Sequence, residues 1–188
     1  MDKTFSPVCG CPQDVAHIAF RLVRRTVVEV SVVTSSGKTV ARLLGPRELG
    51  ARLIRVVWNG RELNRKVAPN GPYFPDVTFP SLDRSLRLPS PIALDNTRPQ
   101  VERAAVGRRG AGVVVRYRFS EPAQAVLLVD GRRAILTRFA PTAGVVRWSG
   151  RFVAGRRLAA GRHILELIAI DLAGNRSLPR LLGHYSGR

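Results

Sequence analysis

Apolar residues in this chain recur at every second position, the period of a half-buried β-strand, and nowhere at the 3.6-residue spacing of a helical stripe. Ala16, Ile18, Phe20 and Leu22 alternate with His17, Ala19 and Arg21. Val28, Val30 and Val32 share one face, with Glu29 and Ser31 on the other. Ser35-Ser36-Gly37-Lys38 reads as a turn, and Thr39 to Leu44 as the returning strand of a hairpin. Ile54, Val56 and Trp58 form a further apolar face, and Tyr73, Val77 and Phe79 another, which Pro75 assigns to a sheet edge. The segment Pro89–Pro99 has three prolines and no period, and reads as a stiff linker.

Alternation restarts beyond it. Val113, Val115, Tyr117 and Phe119 face one way, and Val114, Arg116 and Arg118 the other. Ala125 to Val129, the turn Asp130-Gly131 and the return from Ala134 to Phe139 predict a second hairpin. Val145 to Trp148 is a short strand. His163 to Ile170 is apolar on both faces apart from Glu166, as a central strand requires. Asp171 to Asn175 reads as a turn, and Ser177 to Leu182 as a closing strand. The expected fold class is therefore all-β, as two tandem sandwich domains, residues 1–96 and 97–188.

The two halves share a pattern. Trp58-Asn59-Gly60 and Trp148-Ser149-Gly150 each follow a Gly-turn hairpin, and each Trp lies 13 residues before a second glycine, Gly71 or Gly161, that precedes a strand. Three features in the same order point to an internal repeat. In such an element the Trp caps the core at a strand end, and the Gly supplies the positive φ of the reversal. The alternative, that the tryptophans are sugar-binding platforms, conflicts with the alternation that turns Trp58 inward.

These residues resemble the immunoglobulin-like domain of the flagellar hook-capping family, which is widespread in exported bacterial proteins. The likeness lies in the hairpin Ser36-Gly37-Lys38-Thr39-Val40, the Trp-x-Gly, and the Gly-x-Tyr strand Gly71-Pro72-Tyr73, where the second copy has His163. The opening Phe5-Ser6-Pro7 through Phe20 is similar to the start of such domains, whose Asn- and Asp-rich loop holds calcium in relatives. Here Cys9, Gly10, Cys11 and Pro12 replace those oxygens, which leaves Asp14 as the one side-chain candidate for a metal. Asp171 to Asn175 resembles the closing turn of bacterial surface repeats. The resemblance implies an immunoglobulin-like fold and an exported or cell-surface setting.

Charge bears on partners. The chain carries 31 Lys and Arg against 13 Asp and Glu, a net +18, and 28 of the basic residues are arginine. From Thr97 onward 17 basic residues face 5 acidic ones. Such a field attracts acidic polymers, nucleic acid or anionic lipid. The same excess also follows from an arginine-biased genome and from solubility. The pairs Arg24-Arg25, Arg108-Arg109, Arg132-Arg133 and Arg156-Arg157 fall at turns or strand ends and are the candidate anion contacts. Aromatics fall mostly on inward faces, with Phe152 the main exception, so base stacking is not expected.

Catalytic motifs are lacking. The histidines are His17, His163 and His184, and no triad, P-loop or zinc motif accompanies them. No paired carboxylates present an acid and a base. Cys9 and Cys11 are separated by one residue, so a bond between them is expected to be strained, leaving two free thiols or a bond to a second chain. No cofactor is implied. No segment spans a bilayer and the start lacks a signal-peptide core, so the protein is either cytoplasmic or preceded by an export or anchor segment. The expected function is a non-enzymatic structural or binding module at the cell surface, a spacer, scaffold or adhesin for acidic polymers. The alternatives are a nucleic-acid binder through charge alone, and a hook-capping assembly factor.

Overall fold

The computed structural model describes residues 3–110, 112–138, 142–152 and 158–187. Among these residues fifteen strands run in the order β1 (Lys3–Phe5), β2 (Ala16–Arg21), β3 (Thr26–Val33), β4 (Thr39–Leu49), β5 (Leu53–Trp58), β6 (Gly71–Phe79), β7 (Arg84–Arg87), β8 (Ile92–Leu94), β9 (Val101–Arg109), β10 (Gly112–Phe119), β11 (Gln124–Val129), β12 (Arg132–Leu136), β13 (Ala143–Trp148), β14 (Gly161–Ile170) and β15 (Arg180–Gly187). The one helical element among the described residues is a 3-10 turn at Pro80–Leu82, and no helix there is long and apolar enough to cross a membrane. The chain divides into two compact units between Thr97 and Arg98.

In the first unit a six-stranded sheet, β1-β8-β6-β3-β4 with β7 beside β6, packs over the two-stranded sheet β2-β5. The alternating residues become the core. Ala16, Ile18 and Trp58 from the small sheet meet Val32, Tyr73, Ile92 and Leu94 from the large one. At the other end Leu22 and Ile54 meet Val28 and Leu49. In the second unit the sheet β13-β10-β9 packs on β12-β11-β14-β15. Its core joins Val113, Val115, Tyr117, Phe119, Val146 and Trp148 to Leu127, Val129, Leu165, Leu167 and Tyr185.

The pairings recur in the same order. β2 pairs β5 as β10 pairs β13, the hairpin β3-β4 corresponds to β11-β12, and β3-β6 to β11-β14. Both units are immunoglobulin-like β-sandwiches.

Three expectations are corrected. Pro75 does not lie on an edge strand, because β6 is paired on both sides. Its carbonyl accepts from Leu88 N on the side where the neighbour changes from β8 to β7. The amide position of a strand residue points the same way as its carbonyl, so the missing N–H falls in that gap. The Pro89–Pro99 stretch is not simply a linker, since Ile92–Leu94 pairs with β6 and, in parallel, with β1. The third concerns the cysteines. Cys9 and Cys11 form a disulfide with each other, not free thiols or a bond to another chain. Gly10 between them has φ +60°, and the reversal brings their Cα atoms to 5.2 Å, within bridging range. The strain was expected because the ring is small, and the reversal at Gly10 is what lets so small a ring close.

The bridge closes a loop that Ser6 N→Gln13 O and Asp14 N→Cys11 O also hold. Chain entropy for so short a ring gives roughly 1.5 kcal/mol. Reduction is therefore expected to lower the melting temperature only modestly and to leave both cores folded, as near-UV circular dichroism with and without a reductant would show.

Candidate functional site

The Trp-x-Gly element is built the same way in both units. Trp58 is 1% exposed and Trp148 3%. Each indole Nε1 donates to the carbonyl three residues on, Arg61 at 3.0 Å and Arg151 at 2.6 Å. Gly60 and Gly150 both have positive φ, and their carbonyls accept from Ala68 N and Leu158 N. Gly71 and Gly161 each open the strand that follows. The indoles are buried among Phe5 and Tyr73 in one unit and Phe152 and Tyr185 in the other, so neither offers a ring face to a sugar.

The residue two beyond Gly71 or Gly161 ties the corner. Tyr73 donates its hydroxyl to Pro69 O at 2.7 Å, and His163 Nε2 makes the corresponding bond to Ala159 O at 3.0 Å. The substitution adds a second contact, because His163 Nδ1 lies 2.6 Å from Asp130 Oδ2. Asp130 occupies the hairpin turn with φ +50° and also accepts from Ile164 N. Both ring nitrogens face acceptors, so only the imidazolium, with two N–H donors, satisfies them together. The hydrogen bond to Asp130, then the Ala159 carbonyl, raises the His163 pKa above 6.5. The bond to His163, then the Ile164 amide, lowers that of Asp130 below 3.8.

The signs define a window. His163 contributes fully below 6.5, and its contribution is lost as pH rises through the raised value. Asp130 contributes above 3.8 and loses its contribution as pH falls through the lowered value. The second unit is thus expected to lose stability on the alkaline side of 6.5. His163→Tyr should flatten that limb in melting curves recorded from pH 5 to 9. An unchanged slope in the variant would assign the titration to another group.

Two arginines of the sequence pairs cover aromatic rings. Arg108 lies over the Tyr185 ring at 5.8 Å and Arg132 over Phe152 at 5.2 Å. Because Tyr185 and Phe152 both pack edge-on against Trp148, the two guanidiniums meet one aromatic cluster. Phe152 is thus partly buried against the core and not a free stacking platform. Arg109 and Arg133 are exposed. Arg156 and Arg157 lie outside the described residues. In the first unit Arg25 pairs with Glu48 at 3.7 Å.

Strand positions supply basic residues beyond those of the sequence pairs. Residues paired directly across an antiparallel sheet share a face. Arg118 is paired with Arg103, Arg116 with Ala105 and Val145, and Val114 with Arg147. Arg103, Arg116, Arg118 and Arg147 are therefore on the outer face of β13-β10-β9, as is Arg109 opposite Gly112 at its end, and all five are exposed. The two-residue spacing of Arg116 and Arg118 was the sequence signal. The contributions of β9 and β13 were not signalled, because β9 has almost no apolar alternation.

Asp14 is exposed, and among the described residues it does not belong to a metal-ligating group of carboxylates, histidines or cysteines. Cys11 is bound to Cys9 and cannot act as a thiol beside His17. His17 borders a cavity of about 210 Å³ walled by Pro75, Leu88, Pro89, Ser90 and Ile92, with no carboxylate or cysteine. Another, of about 260 Å³ between Leu22, Phe79 and Leu82, is rimmed by Arg21, Arg24 and Arg84. Asp171 accepts from Asn175 N and Nδ2 and fastens its turn.

The chain is an all-β protein of two immunoglobulin-like sandwich units with a strongly basic second unit. No family model matches it, and no curated protein matches it. Among solved structures it is similar to the fibronectin(III)-like modules of Clostridium thermocellum CbhA, at 14% identity over 96% of this chain and 86% of that one, TM-score 0.48. It is also similar to the BSP domain of a biofilm-associated protein, at 13% identity over 100% of this chain and 28% of that one, TM-score 0.32. A third is Bacteroides ovatus SGBP-B in complex with a mixed-linkage heptasaccharide, at 12% identity over 97% of this chain and 41% of that one, TM-score 0.29.

Proposed function

We propose that this chain is a non-catalytic binding and spacer module of an exported or cell-surface protein, and that its second unit adheres to acidic polymers. The observation that carries this reading is the set of exposed strand arginines on a packed β-scaffold. They form none of the ion pairs found among the described residues, Arg25–Glu48, Arg42–Glu29 and His163–Asp130. The likeness of its turns to those of bacterial surface repeats supports the exported setting. The hook-capping likeness enters as one of architecture.

A non-catalytic role is supported by how the reactive groups are engaged. Cys9 is joined to Cys11, and the ring nitrogens of His163 bond Asp130 and Ala159. Affinity electrophoresis in gels containing an acidic polysaccharide or a neutral glucan tests the reading. Retardation by the acidic gel alone, diminishing steeply as salt rises, is expected. Equal mobility in both gels at low ionic strength would overturn it.

A further inference from the structure

We propose that the outer face of the β13-β10-β9 sheet is a docking surface for a linear polysaccharide that carries one carboxylate per sugar. The proposal rests on the polyanion-binding reading and gives it a place and a ligand class.

The register arranges the charges in an oblique stripe. Arg103 on β9 is directly opposite Arg118 on β10, Arg116 follows two residues along β10, and Arg147 on β13 is diagonal to Arg116. Directly opposed side chains stand ~5 Å apart and diagonal ones ~7–8 Å, while two residues along a strand span ~7 Å. The stripe therefore crosses all three strands with an arginine Cβ every ~5–8 Å. None of the ion pairs found among the described residues neutralises it. Glu102, the one carboxylate in these strands, is exposed at the bulge beside Arg103 and belongs to none of those pairs.

Opposed like charges on a sheet are destabilising. Arg103 facing Arg118 is thus a cost in the free protein that an anion between them would remove. The arginines near strand ends differ in this respect, since Arg108 and Arg132 cover aromatic rings.

The ligand class follows from the rest of the face. Ala105, Gly107, Gly112 and Ala143 keep the ground between the arginines low, so an extended chain can lie across it. The guanidinium fork takes a carboxylate by two parallel hydrogen bonds. No aromatic occupies an outward position on these strands, so nucleobases would find no stacking partner. Val114 and Val145 are its only large apolar groups, too few to enter a lipid interface. A polyuronate needs neither stacking nor insertion, only regularly spaced cations.

The test uses the whole chain with polygalacturonate as probe, and duplex DNA and phosphatidylglycerol vesicles as competing polyanions. Arg116→Gln/Arg118→Gln is compared with Arg24→Gln/Arg133→Gln, which removes the same charge from exposed positions outside this sheet. The stripe variant is expected to bind polygalacturonate at least about tenfold more weakly. The control variant should stay within about twofold of the parent, a difference of less than 0.5 kcal/mol. Relief of the Arg103–Arg118 repulsion should raise the melting temperature of the stripe variant, which separates lost binding from lost folding. Equal weakening in the two variants would overturn the site while leaving the polyanion reading intact. Binding to DNA or vesicles but not to polygalacturonate would overturn the ligand class. Binding to none of the three would overturn the polyanion reading and the inference with it.

Discussion

Trp58→Ala is expected to destabilise the first unit by about 3–5 kcal/mol, the range for truncating a fully buried aromatic. Trp58 stands directly opposite Ala16 across β2 and β5, so the small partner leaves room that the indole fills. Its ring meets Phe5 edge-on at 5.4 Å and Tyr73 at 4.9 Å. Those rings come from β1 and β6 of the large sheet, so the indole joins the two layers, and an alanine would leave a cavity between them. The indole N–H bond to Arg61 is lost as well, but Arg61 is exposed and its carbonyl can turn to water. Denaturant unfolding followed by the fluorescence of the remaining Trp148, together with calorimetry, would assign the loss. The first unit's transition should move and the second's should not. Trp148→Ala should give the reverse pattern. A cost below about 1 kcal/mol for Trp58→Ala would show that the ring does not hold the layers together.

Gly60→Ala is expected to cost about 2–5 kcal/mol, from two sources that add at one atom. With φ +71°, an L-residue at this position is disfavoured by roughly 1–2 kcal/mol. The added methyl would also stand 2.6 Å from Pro7 Cγ and 3.2 Å from the Phe5 ring. Overpacking of that kind costs typically ~1–3 kcal/mol, and Pro7 sits at the mouth of the disulfide loop, with little room to move. Thermal unfolding of Gly60→Ala beside Gly45→Ala separates the motif from a generic glycine effect, because a methyl at Gly45 would meet nothing within 4 Å. Equal costs at the two positions would remove the motif's special standing.

The hairpins and central strands were legible in the sequence because their buried faces alternate strictly. Val28, Val30 and Val32 read as they fold, and so do Val113, Val115, Tyr117 and Phe119. The Trp-x-Gly elements were legible for a related reason: a large aromatic, a positive-φ glycine and a fixed spacing record one local geometry twice. Strands without that signature were not seen. β9 is exposed along nearly its whole length, and β7 entirely so. β8 lies among prolines and takes its place from β6 and β1, both distant in the chain. Pro75 was assigned to an edge by a rule about missing donors, whereas the fold puts the missing donor where one neighbour ends and the next begins.

The candidate site divides the same way. Composition marked the second half as the basic one, and doublets drew attention to turns. Folding then turned Arg108 and Arg132 onto aromatic rings and set Arg103, Arg116, Arg118 and Arg147 side by side on one sheet face. By itself the sequence determined the all-β class, the inward tryptophans and the sign of the charge, because period, residue size and ionisation are local properties. Cross-strand register, which joins residues up to 44 apart in sequence, as Arg103 and Arg147 are, decided which arginines stand together. The reversal at Gly10 likewise decided that Cys9 meets Cys11, a matter of backbone direction that residue types alone do not carry.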